Sequence, residues 1–205
     1  MRQLRVMFAG ALTGVLLVGS CSMPVKAQSA ATRQVRDGSH DFDFLYGKWR
    51  MPNHRLVKRL AGSHEWADFV TCDEAKPLPG GLGNMDVFRA NYWRDFVGIT
   101  VRTYDPQTGL WRLYWVDNRF AHGALEPPVI GRFNGNVGVF DGNDTFNGKP
   151  IVVRFTWTLN PTGSKVVATW QQAFSKDGGK TWEVNWRNAI IHDDHCKPSA
   201  SVPAA

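Results

Sequence analysis

Tryptophans alternate with polar and apolar side chains along four segments of this chain. Three polar residues each follow a tryptophan by two positions, in the pairs Trp115–Asp117, Trp170–Gln172 and Trp186–Asn188. A fourth tryptophan, Trp157, lies two residues after Phe155 and two before Leu159. Residues two apart share one face of an extended strand, and a few polar groups among aromatic side chains are typical of a small-molecule pocket. We therefore predict that an apolar or aromatic ligand is bound by Trp115, Asp117, Trp157, Trp170, Gln172, Trp186 and Asn188.

Ten short segments have the alternation and composition of β-strands, and turn sequences separate them. They lie at 48–58, 64–72, 84–91, 95–104, 111–117, 129–133, 136–140, 153–159, 166–174 and 182–192. Asp141-Gly142 and Asn147-Gly148 are two of the predicted turns. No segment after residue 27 has a helical apolar stripe three turns long. We predict an all-β domain over 41–192, in which sequential hairpins close an antiparallel up-and-down β-barrel of about ten strands.

Three motifs in this order resemble those of a known family. They are Asp41–Trp49, which contains Gly47-Lys48-Trp49, then Tyr104–Asp117, and finally Ser175–Trp182. The first resembles the opening of calycin-type barrels, where a helical turn leads into Gly-x-Trp on the first strand. Together the motifs are similar to a bacterial lipocalin-like family of uncharacterised exported proteins. The resemblance covers about residues 40–192 and implies a barrel with an internal pocket, but no particular reaction.

His192 is the one candidate for a metal or haem ligand that the strand pattern places on an inward face. Haem-binding nitrobindin-like barrels, a more distant resemblance, use a histidine late in the chain as the axial ligand. Those barrels have a glycine-rich first strand, whereas this chain has Arg50-Met51-Pro52-Asn53-His54. A histidine at the barrel rim is the simpler interpretation, and we expect no cofactor and no metal.

The N-terminus has the features of an export signal. Arg2 and Arg5 precede an uncharged, largely apolar run at 6–19, which is too short to span a bilayer. Cleavage before Gln28 would make residues 1–27 the signal. Cleavage before Cys21, in a lipobox-like sequence, would make residues 1–20 the signal and leave Cys21 lipidated. The mature protein is therefore expected to be periplasmic or secreted, or anchored to a membrane by lipid, with a polar linker at 28–40 and a flexible tail at 193–205.

Removal of the signal changes the charge and leaves two cysteines. Loss of the three cations Arg2, Arg5 and Lys26 lowers the formal net charge from +6 to +3. The remaining basic residues are scattered among acids, so no nucleic-acid partner is expected. Cys72 and Cys196 remain as an even pair and are predicted to form a disulfide in an oxidising compartment.

Two further functions are compatible with the same residues. A carboxylate desolvated among tryptophans can transfer protons, so Asp117, Glu65 and His122 are candidates for acid/base chemistry inside the barrel. Alternatively, the tryptophans fill the barrel of a structural envelope protein that has no ligand. No common catalytic motif is present, and whether the chain is an enzyme stays open.

Overall fold

The protein is a closed β-barrel of ten antiparallel strands, so the predicted fold class is confirmed. The computed structural model describes residues 36–119 and 125–197. The strands are β1 (Gly47–Leu56), β2 (Trp66–Pro77), β3 (Gly83–Ala90), β4 (Phe96–Asp105), β5 (Leu110–Asp117), β6 (Val129–Asn134), β7 (Val137–Phe146), β8 (Lys149–Leu159), β9 (Val166–Ser175) and β10 (Glu183–His192). Each strand pairs with its sequence neighbours, and β1 pairs with β10 to close the sheet.

Two short 3-10 helices, Asp43–Leu45 and Pro79–Gly81, accompany the strands. The first closes one end of the barrel. Phe42 and Leu45 are fully buried, and the Phe42 ring lies 5.0 Å from that of Trp111 and 5.2 Å from that of Phe133. The indole N–H of Trp49 donates to the carbonyl of Leu45. A helical turn therefore leads into the first strand, as the Gly-x-Trp resemblance implied.

The predicted turn at Asp141-Gly142 is wrong, because β7 continues to Phe146 and turns at Asn147-Gly148. Asp141 and Gly142 pair with Arg154 and Val153 of β8. A Cβ on Gly142 would lie only 2.8 Å from the carbonyl oxygen of Pro128. The glycine thus permits close approach of the backbone within the sheet, which a sequence cannot distinguish from a turn.

The hairpin between β9 and β10 is organised by one carboxylate. Asp177 accepts hydrogen bonds from the Thr181 hydroxyl and from the backbone amides of Lys180 and Thr181. The indole N–H of Trp182 donates to the Gly179 carbonyl. This network accounts for the Ser175–Trp182 motif as a structural feature of the turn.

Cys72 and Cys196 form a disulfide with a Cα–Cα distance of 5.7 Å. Cys72 lies on the outer face of β2, since its neighbours Thr71 and Asp73 are buried inside. The Asp193 amide donates to the Lys48 carbonyl at 3.1 Å, so the chain after β10 crosses β1 before it reaches β2. The predicted export signal, most of the linker and residues 198–205 lie outside the described residues.

Candidate ligand-binding cavity

The barrel encloses a cavity of about 750 Å³. All seven residues that the sequence predicted as binding residues line it, namely Trp115, Asp117, Trp157, Trp170, Gln172, Trp186 and Asn188. They come from β5, β8, β9 and β10, where strand alternation turns them to the inside. The barrel is therefore not filled by its tryptophans. A smaller depression of about 390 Å³ lies beside Pro127, Pro128 and Ile130 and contains one titratable group, Asp141.

The wall of the cavity is a continuous set of aromatic rings. The Trp170 ring lies 5.7 Å from that of Trp186 and 6.4 Å from that of Trp157. Phe88 joins this set to Trp115, with ring centroids 6.1 Å from Trp186 and 6.0 Å from Trp115. These separations and the tilted or edge-on angles are those of favourable aromatic pairs, so the rings hold one another in place around the lumen.

Hydrogen bonds orient several of these side chains. The indole N–H of Trp186 donates to Asn53 Oδ1 at 2.9 Å, and that of Trp115 donates to Asp117 Oδ2 at 3.0 Å. Gln172 Nε2 donates to Asn185 Oδ1 at 2.8 Å. By contrast, Asn188 Oδ1 and Trp157 Nε1 are buried and have no hydrogen-bond partner among the described residues. A bound molecule could form a hydrogen bond with either of these two atoms.

One end of the cavity, here called the floor, carries the charged residues Asp73, Asp86 and Arg102, all of them buried. Arg102 forms an ion pair with Asp86 and donates to Asn84 Oδ1 at 3.1 Å. Its guanidinium lies 5.2 Å from the Phe42 ring centroid, so the floor rests on the aromatic cluster below it. The floor thus holds two carboxyl groups, of which Asp86 is the one paired with Arg102.

Asp73 is the carboxyl group that this arrangement leaves without an ion-pair partner. Its Oδ1 is buried with no hydrogen-bond partner in the described chain. Burial and the negative charge of Asp86 raise the pKa of Asp73 well above its ordinary value, and the Arg102 charge opposes that rise. The protonated form of Asp73 is therefore favoured, which makes it a hydrogen-bond or proton donor facing the lumen.

The opposite end, here called the arginine rim, carries Arg55, Arg59 and Arg119. Arg55 follows Trp49 by six residues along β1 and pairs with Ala67, whereas Trp49 pairs with Asp73 of the floor. Burial, and next the charge of Arg59, lower the pKa of Arg55 to about 10. Glu126 and Asp144 also line this end, and burial followed by the charge of Asp144 raises the pKa of Glu126.

Two of the remaining sequence candidates, His192 and Glu65, do not line the cavity. The His192 side chain is 58% exposed, lies edge-on to Trp49 and does not line the lumen. Glu65 is exposed on the loop before β2, and His122 lies outside the described residues. Among the described residues, no three His, Cys, Asp or Glu side chains are grouped as metal ligands would be.

Four charged residues of the cavity were not predicted from the sequence, namely Asp73, Asp86, Arg102 and Arg55. Alternation was available as a signal, because Asp73 lies two residues from Thr71 and from Ala75, which are both buried. Arg55 likewise lies two residues from Asn53 on the inner face of β1. These residues lack a neighbouring tryptophan to mark their face as internal, so their charge suggested a solvated position.

A closed ten-stranded antiparallel barrel with an aromatic internal cavity defines the class of this protein and is compatible with calycin-type folds. Comparison with known proteins adds no relative, since no protein-family model matches the chain and no curated protein matches it. In the part of the chain that the structure describes, no helix has the length and apolar character needed to cross a membrane.

Proposed function

We propose that this protein is an exported binding protein that holds a small apolar or aromatic molecule inside the barrel. The observation that carries the proposal is the 750 Å³ cavity walled by Trp115, Trp157, Trp170 and Trp186. Removing apolar surface from water stabilises a complex by about 25 cal/mol per Å². A flat or hydrophobic molecule gains most from such a wall, and the size of the space matches that of ordinary ligand pockets.

Polar atoms in the cavity would orient this ligand. Asn188 Oδ1 can accept a hydrogen bond and Trp157 Nε1 can donate one, and each is buried without a partner among the described residues. An unsatisfied buried polar atom is costly, so a ligand that pairs with it is favoured over one that does not. These atoms support selectivity for a molecule with a few well-placed polar groups.

Export is supported by the Cys72–Cys196 disulfide. Disulfides persist in oxidising compartments such as the periplasm and are rare in the cytosol. Together with the N-terminal segment of basic and then apolar residues, this bond favours a periplasmic or secreted location, with lipidation of Cys21 as the route to a membrane anchor.

Ligand binding is tested by titrating the purified protein with N-phenyl-1-naphthylamine, a neutral aromatic probe, and with a panel of aromatic and lipid-like compounds. Quenching of tryptophan fluorescence and enhancement of probe fluorescence report binding in the lumen. Asn188→Ala and Gln172→Ala should weaken the complex by about tenfold. Gln171→Ala is the matched control, because Gln171 occupies the adjacent position of β9 and does not line the cavity.

No response to any compound would leave the binding function without support. An equal loss of affinity in Gln171→Ala would show that the variants act through overall stability rather than through contact. Near-ultraviolet circular dichroism of each variant checks that the aromatic packing is retained.

Acid/base catalysis on the bound molecule is the second candidate, and Asp73 is the observation that favours it. A buried carboxyl group with a raised pKa, beside a second carboxyl group and an arginine, is typical of a general acid or base. The residue differs from the sequence candidates Asp117, Glu65 and His122. Compounds that co-purify from the native host should be converted by the wild-type protein and not by Asp73→Asn, which should still bind them. Unaltered compounds after incubation with the wild-type protein would contradict this second function.

A further inference from the structure

Each of the three arginines of the rim lies against an aromatic ring. The Arg55 guanidinium carbon lies 4.9 Å from the Trp93 ring centroid and 5.2 Å from that of Trp186. Arg59 lies 4.8 Å from the Phe146 ring centroid, and Arg119 lies 5.6 Å from that of Trp93. A guanidinium held against a ring face still presents its N–H edges to other groups.

Arg55 has no ion-pair partner among the described acidic residues. Its Nε is buried and has no hydrogen-bond partner in the same part of the chain. The lowered pKa of Arg55 agrees with this geometry, because burial and the neighbouring arginines both disfavour its positive charge. An anion bound next to Arg55 would offset the free-energy cost of burying its positive charge.

Two other arginines of the barrel, Arg102 and Arg154, differ from Arg55 in this respect. Arg102 on the floor is neutralised by Asp86. Arg154 on the outer face donates from Nε and Nη2 to the two carboxylate oxygens of Asp141, at 2.7 and 2.6 Å. An anion that accepted two hydrogen bonds from Arg55 in the same way would engage its unpartnered Nε. Carboxylates and similar planar or tetrahedral anions have oxygen atoms spaced for such a pair of hydrogen bonds.

Asp117 and Asp144, two acidic residues of this end, interact with groups other than Arg55. Asp117 accepts hydrogen bonds from the Trp115 indole and from the Arg119 amide at 2.9 Å. Asp144 acts on the pKa values of Arg59 and Glu126. The charges of Arg59 and Arg119 disfavour the positive charge of Arg55, whereas the Tyr92 hydroxyl favours it.

We propose that the ligand is an amphipathic organic anion whose charged group binds Arg55 and whose apolar body lies between the tryptophans of the lumen. This inference rests on the proposed binding function and specifies the chemical class of its ligand. Arg59 and Arg119 add long-range attraction, and the Trp93 and Trp186 rings hold the Arg55 guanidinium in place for the anion.

Two probes that share one aromatic body test the inference. 8-Anilinonaphthalene-1-sulfonate carries an anionic group that N-phenyl-1-naphthylamine lacks. The full-length mature protein should bind the anionic probe about tenfold more tightly than the neutral probe, as a charge-assisted contact in a desolvated site predicts. Arg55→Met should abolish that preference, so that the ratio of the two affinities falls to about one. Arg55→Lys should retain part of the preference.

Arg50→Met is the matched control, because Arg50 lies on the same strand with its side chain on the outer face and the substitution removes the same charge. Binding of neither probe would contradict the proposed function itself. Equal affinity of the wild-type protein for both probes would overturn only the anionic class. An equal loss of preference in Arg50→Met would attribute it to net charge and would also overturn the assignment to Arg55. If Arg55→Met failed to bind the neutral probe, the inference would be judged on the wild-type protein and Arg55→Lys. The measured quantity is the ratio of their affinities for the anionic and the neutral probe.

Discussion

A Cβ atom on Gly98 would lie 2.1 Å from Cη2 of the Trp115 indole. Gly98 is buried on the inner face of β4, and Trp115 reaches across it from β5. The hydrogen bond to Asp117 fixes the other edge of the indole. The Trp115 indole can occupy this position in the cavity wall only because residue 98 has no side chain.

Gly98→Ala is expected to push Trp115 into the lumen. Inserting one methyl group into a packed interior costs about 1–3 kcal/mol of stability, and the displaced indole reduces the space for a ligand. Urea denaturation and titration with N-phenyl-1-naphthylamine measure the two effects. Adding Trp115→Phe to Gly98→Ala should recover part of the stability, because the shorter ring removes the contact. Wild-type stability and binding in Gly98→Ala would contradict this account.

Asp73→Asn should change how stability depends on pH. The pKa of Asp73 is raised in the folded protein, so the folded state holds a proton that the unfolded state releases above about pH 3.8. Wild-type stability relative to Asp73→Asn should therefore fall as the pH rises from 3.8 to the folded-state pKa, and then level off. Urea denaturation of both proteins from pH 4 to pH 9 measures this difference. A difference that is constant across the range would show that Asp73 titrates normally.

Loss of the disulfide should destabilise the barrel without unfolding it. The Cys72–Cys196 bond closes a loop of 124 residues, and such cross-links typically contribute about 2–4 kcal/mol. Cys196→Ser and the reduced wild-type protein should show the same lower urea midpoint. Reductant should not affect Cys196→Ser or the double variant Cys72→Ser/Cys196→Ser. An unchanged midpoint on reduction would mean that the bond does not restrain the unfolded chain.

The mature protein recovered after export should lack Met1 and the apolar segment that follows. Its intact mass should correspond to a chain that begins at Gln28, or to one that begins at an acylated Cys21. Cys21→Ser separates the two, because it abolishes acylation and leaves cleavage before Gln28 unaffected. A mass that includes Met1–Arg5 would contradict the export signal.

Local alternation was sufficient to predict the strands and one face of each. Trp115 and Asp117 share a face because successive residues of a strand point to opposite sides, and that rule depends only on position along the chain. The same rule assigned Trp170 with Gln172 and Trp186 with Asn188. The predicted positions of the ten strands and the all-β class followed from this periodicity and from the turn residues. The prediction at Asp141-Gly142 was wrong because Asp-Gly is also a common turn sequence. Only the pairing of Gly142 with a neighbouring strand shows that it lies within β7.

The sequence by itself determined which side chains face inward at the tryptophan-bearing strands. Only the tertiary structure decided that the barrel holds a cavity, since the width of the lumen depends on strand number and stagger around the closed sheet. It also decided that Asp73, Asp86 and Arg102, from three successive strands, meet on one floor. Arg55, by contrast, lies against two tryptophans and has no ion pair with an acidic residue in the described part of the chain. Distances across a barrel are set by closure of the whole sheet, whereas alternation is a property of each strand alone.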